Sequence, residues 1–161
     1  MNRYALAGTI AGATALCDYL TKLWVVQYLK PLGKPIVLIP GYFDLIYAQN
    51  TGSAFGLFRG FGGLLTLIGV GALIFVAWLL YRNPRARKRS VAALGLILGG
   101  AIGNVTDRTM RGYVVDFIDW HVGDAHWPAF NVADAALVVG VIMILIWPEK
   151  TPADAGGPIR P

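Results

Sequence analysis

Long apolar runs alternate with short polar breaks along this chain. "FGGLLTLIGVGALIFVAWLLY" (61–81) carries no charge over its whole length, and a helix needs about 20 mainly apolar residues to cross a bilayer. "SVAALGLILGGAIGNVT" (90–106) is uncharged but slightly short, and "FNVADAALVVGVIMILIW" (130–147) holds one acid, Asp134, near its start. A further apolar run over 4–17 is followed by Asp18, Lys22 and "LWVVQYL", which predicts a helix continuing to about residue 28. Asp18 and Lys22 stand four apart, so they share one face of that helix and can pair. The pattern predicts a mainly α membrane protein with four transmembrane helices.

The texture changes between the first two runs. "KPIVLIPGYFDLIYAQNTGSAFGLF" (34–58) mixes β-branched and aromatic stretches with Pro40, Gly41 and "NTGS". It predicts two or three short strands with turns, a small interfacial β-sheet in the first outer loop, where aromatic side chains are favoured. Gly95, Gly99 and Gly103 recur every four residues and lay a smooth strip along one helix face, suited to close packing. The tail 149–161 is rich in Pro and Gly and reads as disordered. The expected organisation is therefore one membrane-embedded domain over 1–148 and a cytoplasmic tail.

Composition agrees with lipid as the solvent. The chain is 56% hydrophobic and 14% charged, against about 25% charged in soluble domains. Its net charge of +5 does not point to nucleic acid, because five of the fourteen basic residues fall in one octet, "RNPRARKR" (82–89), between two apolar runs. By the positive-inside rule that octet lies in the cytoplasm, as do both termini, with Arg3 and Lys150 in agreement. Loops 29–60 and 107–130 then face outward. Cys17 is the only cysteine, which excludes an intramolecular disulfide. "MNRYALAGTIAGATALC" has the first two parts of a secretory signal, and "TALC" hints at a lipid-attachment box. Bulky Leu16 and the three later apolar runs favour a first transmembrane helix instead.

Of nine acids, five (Asp107, Asp116, Asp119, Asp124 and Asp134) fall between 107 and 134. Charge beside hydrocarbon is costly, so acids kept there are functional candidates. Ser53 and Ser90, the only serines, lie in no G-x-S-x-G elbow, and no H-E-x-x-H occurs. His121 and His126, with Asp116, Asp119 and Asp124 nearby, lack tight metal-ligand spacing, so no metal or other cofactor is expected. "NVT" at 104–106 matches a glycosylation sequon at a predicted helix end and carries little. Asp119 and Asp124 sit in polar or Gly-containing sequence and read as solvated.

Two aspartates remain in apolar settings, Asp116 in "VVDFI" and Asp134 in "FNVADAAL". Brought together, they would not both ionise easily and would share a proton. One would then activate water while the other donates a proton, the chemistry of aspartic proteases. The spacing equally allows each acid its own partner, for Asp116 either Arg108 or Arg111. Two other classes compete: a proton-coupled transporter using Asp18, Asp116 and Asp134, and a non-catalytic scaffold. The one-sided clustering of the acids speaks against the first, and the second leaves the acids unexplained.

Four stretches, "DYLTK" (18–22), "NTGSAFG" (50–56), "GGAIGNVTDRTMRGYVVDF" (99–117) and "FNVADAAL" (130–137), stand in the order and between the spans found in bacterial lipoprotein signal peptidase, signal peptidase II. The chain closely resembles that family over about residues 10–147. Tyr19 stands where members often carry Gln. The resemblance implies a catalytic dyad of Asp116 and Asp134. Asn104, Asp107, Arg108 and Asn131 would support the dyad or hold substrate, and Asn50 and Gly52 would belong to a substrate-cradling sheet. Asp18 and Lys22 would be structural or substrate-adjacent. It also implies cleavage of a diacylglyceryl-modified prolipoprotein just before its lipidated cysteine, at the outer face of the cytoplasmic membrane, without cofactor. Globomycin would act as inhibitor, and membrane lipid would be a constant neighbour. Four helices suffice for a monomer.

Overall fold

Helix α1 (Arg3–Trp24) begins where the Asn2 side chain accepts from Ala5 N at 2.8 Å, a standard N-cap bond. It runs on through one π-helical turn, Val25–Leu29, and a short α2 (Lys30–Leu32), and stops at Gly33, whose φ of 66° suits glycine. The helical course thus passes the predicted residue 28. The π turn is anchored by packing, since Val25 and Leu29 are buried against Val115 and Phe117. In this computed structural model residues 2–52, 62–84 and 86–148 are described. The predicted strand material at 53–58, Lys150 and the tail 149–161 lie outside them.

Three more helices follow, α3 (Gly62–Arg82), α4 (Lys88–Arg111) and α5 (Val132–Ile146). Among the described residues, α3 and α4 are long and apolar enough to cross a membrane, and α5 is a shorter apolar helix. Helix α4 is central and packs against α1, α3 and α5. Its glycine strip performs the predicted packing. A Cβ at Gly99 would come within 2.5 Å of Thr14 Cβ and 2.7 Å of the Ala11 carbonyl oxygen, so α1 and α4 approach only without it. Helix α3 leaves Leu67, Ile68, Ile74 and Phe75 exposed, a continuous apolar face.

The sheet differs from its prediction. It has four antiparallel strands in the order β1 (Ile36–Ile39), β2 (Phe43–Asn50), β3 (Val114–Val122) and β4 (Ala125–His126). Half of it comes from the second predicted outer loop, not from the first alone. The reason lies in β3: residues 114–117 are all buried, so the strand lacks the apolar–polar alternation of a half-buried one. In the β2–β3 ladder, Leu45 faces Ile118 and Ala48 faces Asp116, so β2 carries one extra residue beside Asp116. Such bulges re-aim side chains next to functional sites.

Phe130 closes the arrangement. Its carbonyl accepts from Phe117 N at 3.0 Å and Ile118 N at 2.9 Å, and its N–H returns a bond to Ile118 O at 3.1 Å. This pins the segment before α5 to β3, and brings the start of α5 to the middle of the sheet.

Candidate active site

Asn131 is the junction. It is fully buried and caps α5 in a capping box: its Oδ1 accepts from Asp134 N at 3.0 Å, and its own N–H donates to Asp134 Oδ2 at 3.3 Å. Its amide nitrogen donates to Asp116 Oδ1 at 2.7 Å. One asparagine therefore touches both carboxylates. The fold brings together the two acids that the sequence singles out.

Each carboxylate has a second amide. Asn50 Nδ2 donates to Asp116 Oδ2 at 2.8 Å, while Asn50 Oδ1 accepts from Gly52 N at 3.1 Å, which fixes the orientation of the Asn50 amide. Asn104 Nδ2 donates to Asp134 Oδ1 at 2.7 Å. Asp116 is 2% exposed. Burial above all, and then the charge of Asp134, push it up to about 6, against the opposing pull of the Asn50 and Asn131 hydrogen bonds.

Behind the acids lies a second charged cluster. Lys22 pairs with Asp18 at 2.8 Å, as their spacing predicts, and with Asp107 at 3.1 Å. Asp107 also pairs with Arg111 at 2.7 Å and accepts from Val115 N at 3.1 Å. Asp18 accepts from Ala133 N at 2.9 Å, tying α1 to the first turn of α5. Arg111, one of the two partners the spacing offers Asp116, is thus spent on Asp107. The other, Arg108, lies near enough for its charge to be felt by Asp134 and Asp116, and its Nε is buried without a hydrogen-bond partner.

A cleft of about 580 Å³ opens from this site, with Asn50, Arg108 and Asp134 at its polar end and Phe130, Val138 and Val139 along its apolar wall. Val138 and Val139 are themselves exposed, so the cleft runs out along the apolar surface of α5.

Asp119 departs from the solvated reading. It is buried, and its carboxylate receives His126 Nδ1 at 2.9 Å. Asp44, its partner across the ladder, faces His121 at 3.6 Å, and the two imidazoles stack with centroids 4.6 Å apart. Asp124 is exposed, as expected. Among the described residues no group of three or more His, Cys, Asp or Glu converges on a point where a metal ion would be held. The sequence reading offered Arg111 to Asp116 and missed its pairing with Asp107, although the two stand four apart, the same helical spacing that marked Asp18 and Lys22.

A family model described as Signal peptidase (SPase) II matches residues 10–148. The chain belongs to the signal peptidase II family. It is 43% identical over 136 residues to the lipoprotein signal peptidase of Ralstonia nicotianae, a match spanning 81% of this chain and 76% of that one. The lipoprotein signal peptidase of Burkholderia mallei is likewise 43% identical, over 134 residues, 81% of this chain and 79% of the other. Among solved structures, a bacterial membrane enzyme determined by the in meso method at 2.3 Å superposes with a TM-score of 0.79 at 31% identity, covering 87% of this chain and 85% of that one. Signal peptidase II enzymes are peptidases of the aspartic type that cleave lipoprotein signal peptides, and this chain is such a peptidase, integral to the membrane.

Proposed function

We propose that this peptidase cuts diacylglyceryl-modified prolipoproteins just before the lipidated cysteine, using Asp116 and Asp134 as its catalytic pair. The observation that carries this reading is Asn131, which bonds both carboxylates at once. Two acids tied to one buried residue can share a proton, and Asp116, which burial and the charge of Asp134 raise to about 6, is assigned as the proton donor. Asp134 then takes a proton from water as the water oxygen attacks the scissile carbonyl carbon. Asp116 gives its proton to the carbonyl oxygen. As the tetrahedral intermediate collapses and the C–N bond breaks, Asp134 passes its proton to the leaving amine, the nitrogen of the lipidated cysteine, and Asp116 takes a proton back from a hydroxyl of the intermediate. Asn50, Asn104 and Asn131 hold the two carboxylates, and the Arg108 side chain lines the cleft beside them, where its positive charge faces the substrate.

Orientation follows from charge. The basic octet 82–89 belongs in the cytoplasm, which puts both termini there, four helices across the bilayer and the acids at its outer face. The apolar wall of the cleft along Val138 and Val139 receives the acyl chains of the substrate. A monomer contains every residue in this scheme, no cofactor is needed, and globomycin competes for the same cleft.

The test is cleavage of a diacylglyceryl-modified prolipoprotein by the purified protein in detergent, with the cut located by mass spectrometry. Cleavage just before the lipidated cysteine, blocked by globomycin, is the expected outcome. An unlipidated precursor cut equally well overturns the proposed substrate.

A further inference from the structure

Lys22 is 1% exposed, on the first helix of the chain, and the scheme above gives it no part in the reaction. Its ammonium meets three oxygens: Asp18 Oδ2 at 2.8 Å, Asp107 Oδ2 at 3.1 Å and Asn104 Oδ1 at 3.1 Å. Three donors thus find three acceptors. Two of these contacts are charge pairing, and with Arg111 on Asp107 they leave Asp18, Lys22, Asp107 and Arg111 neutral as a group. The third contact does something else.

An asparagine amide has an oxygen end and a nitrogen end, and only its surroundings decide which way it faces. One end of Asn104 receives both the Lys22 ammonium and, at 3.3 Å, Asn131 Nδ2. Both are donors, so that end is the oxygen. The nitrogen end must then face Asp134 Oδ1, at 2.7 Å. A reversed amide would set its NH₂ against an ammonium and a second NH₂, and its oxygen against a carboxylate. Three repulsive contacts would replace three hydrogen bonds.

We infer that Lys22 is a positioning residue for peptide cleavage, acting through Asn104 to fix the hydrogen bond that aims the Asp134 carboxylate. The inference rests on the proposed Asp116–Asp134 mechanism. Without Lys22 the amide of Asn104 is oriented only by the 3.3 Å contact from Asn131 Nδ2, and its bond to Asp134 Oδ1 is held less firmly. The rival role for Lys22 is plain charge, felt through space by Asp18 on α1, Asp107, Arg108 and Arg111 on α4, Asp116 on β3 and Asp134 on α5.

Kinetics of full-length variants on the diacylglyceryl-modified prolipoprotein separate the two. Lys22→Met combined with Asp18→Asn removes one charge of each sign and leaves an oxygen to accept from Ala133 N. Asn104→Ala removes the relay but keeps Lys22 paired with Asp18 and Asp107, and thermal unfolding of each variant establishes that it is folded before its kinetics are read. Positioning predicts a kcat loss of about 100-fold in both variants, with KM changed by no more than about twofold. The triple variant should be no slower than Asn104→Ala alone, because one pathway is broken twice. Parent-like kcat in Asn104→Ala, parent-like kcat in the neutral pair, or losses that multiply in the triple variant each overturn the relay. A parent that fails to cleave points instead at the proposed mechanism, and takes the inference down with it.

Discussion

Asn50 Nδ2 donates to Asp116 Oδ2 at 2.8 Å and so joins the end of β2 to the first half of β3. A donor on a carboxylate favours its ionised form, and losing a hydrogen bond to a charged group costs about 1.5–3 kcal/mol. Asn50→Ala is therefore expected to raise Asp116 beyond about 6. The limb of the pH–rate profile on which activity falls as Asp116 loses its proton should move to higher pH. At the parent optimum kcat/KM should drop at least about tenfold. Profiles of both proteins check this, and an unmoved limb argues that Asn50 serves the substrate and not the acid.

Asp116 also sets a pH dependence of stability. Burial raises its folded value to about 6 from an unfolded 3.8, so the folded state binds the proton more tightly. The contribution of this group is most favourable below the unfolded value and is lost as pH rises through about 6, costing about 3 kcal/mol once complete. Asp116→Asn is accordingly expected to abolish cleavage and to remove this pH dependence of stability, while its own NH₂, set against that of Asn50 or Asn131, lowers the unfolding temperature at low pH relative to the parent. The difference between parent and variant should change as the pH falls from about 6 to 3.8 and level off below that. Thermal unfolding in detergent across that range measures it.

Asp119 lies three residues further along β3, on the opposite face of the strand from Asp116. Its partner is His126, half exposed, and not Asn50 or Asn131. Asp119→Asn is expected to cost about 1 kcal/mol of stability and to leave kcat within about twofold of the parent. The same assay that finds Asp116→Asn dead should find this variant active.

The proposed orientation is checked in a Cys17→Ala background. A cysteine at Asn83, beside the basic octet, should react with a membrane-impermeant thiol reagent only after the bilayer is opened. One at the exposed Asp124 should react in intact spheroplasts.

Much of this was legible in the sequence because it is local. Helix-length apolar runs, the Asp18–Lys22 spacing and the glycine strip each need only neighbouring positions, and each stands in the structure near its predicted place. The rest depends on partners far along the chain. β3 pairs with β2, placing Asp116 opposite Ala48, and its buried first half shows no alternation to mark it as a strand. Burial of Asp119 depends on His126 folding back through β4, so polar neighbours misread it as solvated. The bond from Lys22 to Asn104 joins residues on the first and third long helices, and no short spacing foretells it. Gly52, just beyond β2, donates its N–H to the Asn50 amide oxygen, a contact that no spacing rule foretells.

The most direct test of the two-aspartate mechanism is single-turnover cleavage of the lipidated precursor by Asp116→Asn and Asp134→Asn, each shown by thermal unfolding to be folded. Both should lose cleavage by at least about 100-fold, because each carboxylate has its own proton to move. Near-parent turnover by either variant would mean that the pair held by Asn131 is a structural feature and that the peptide is cut elsewhere.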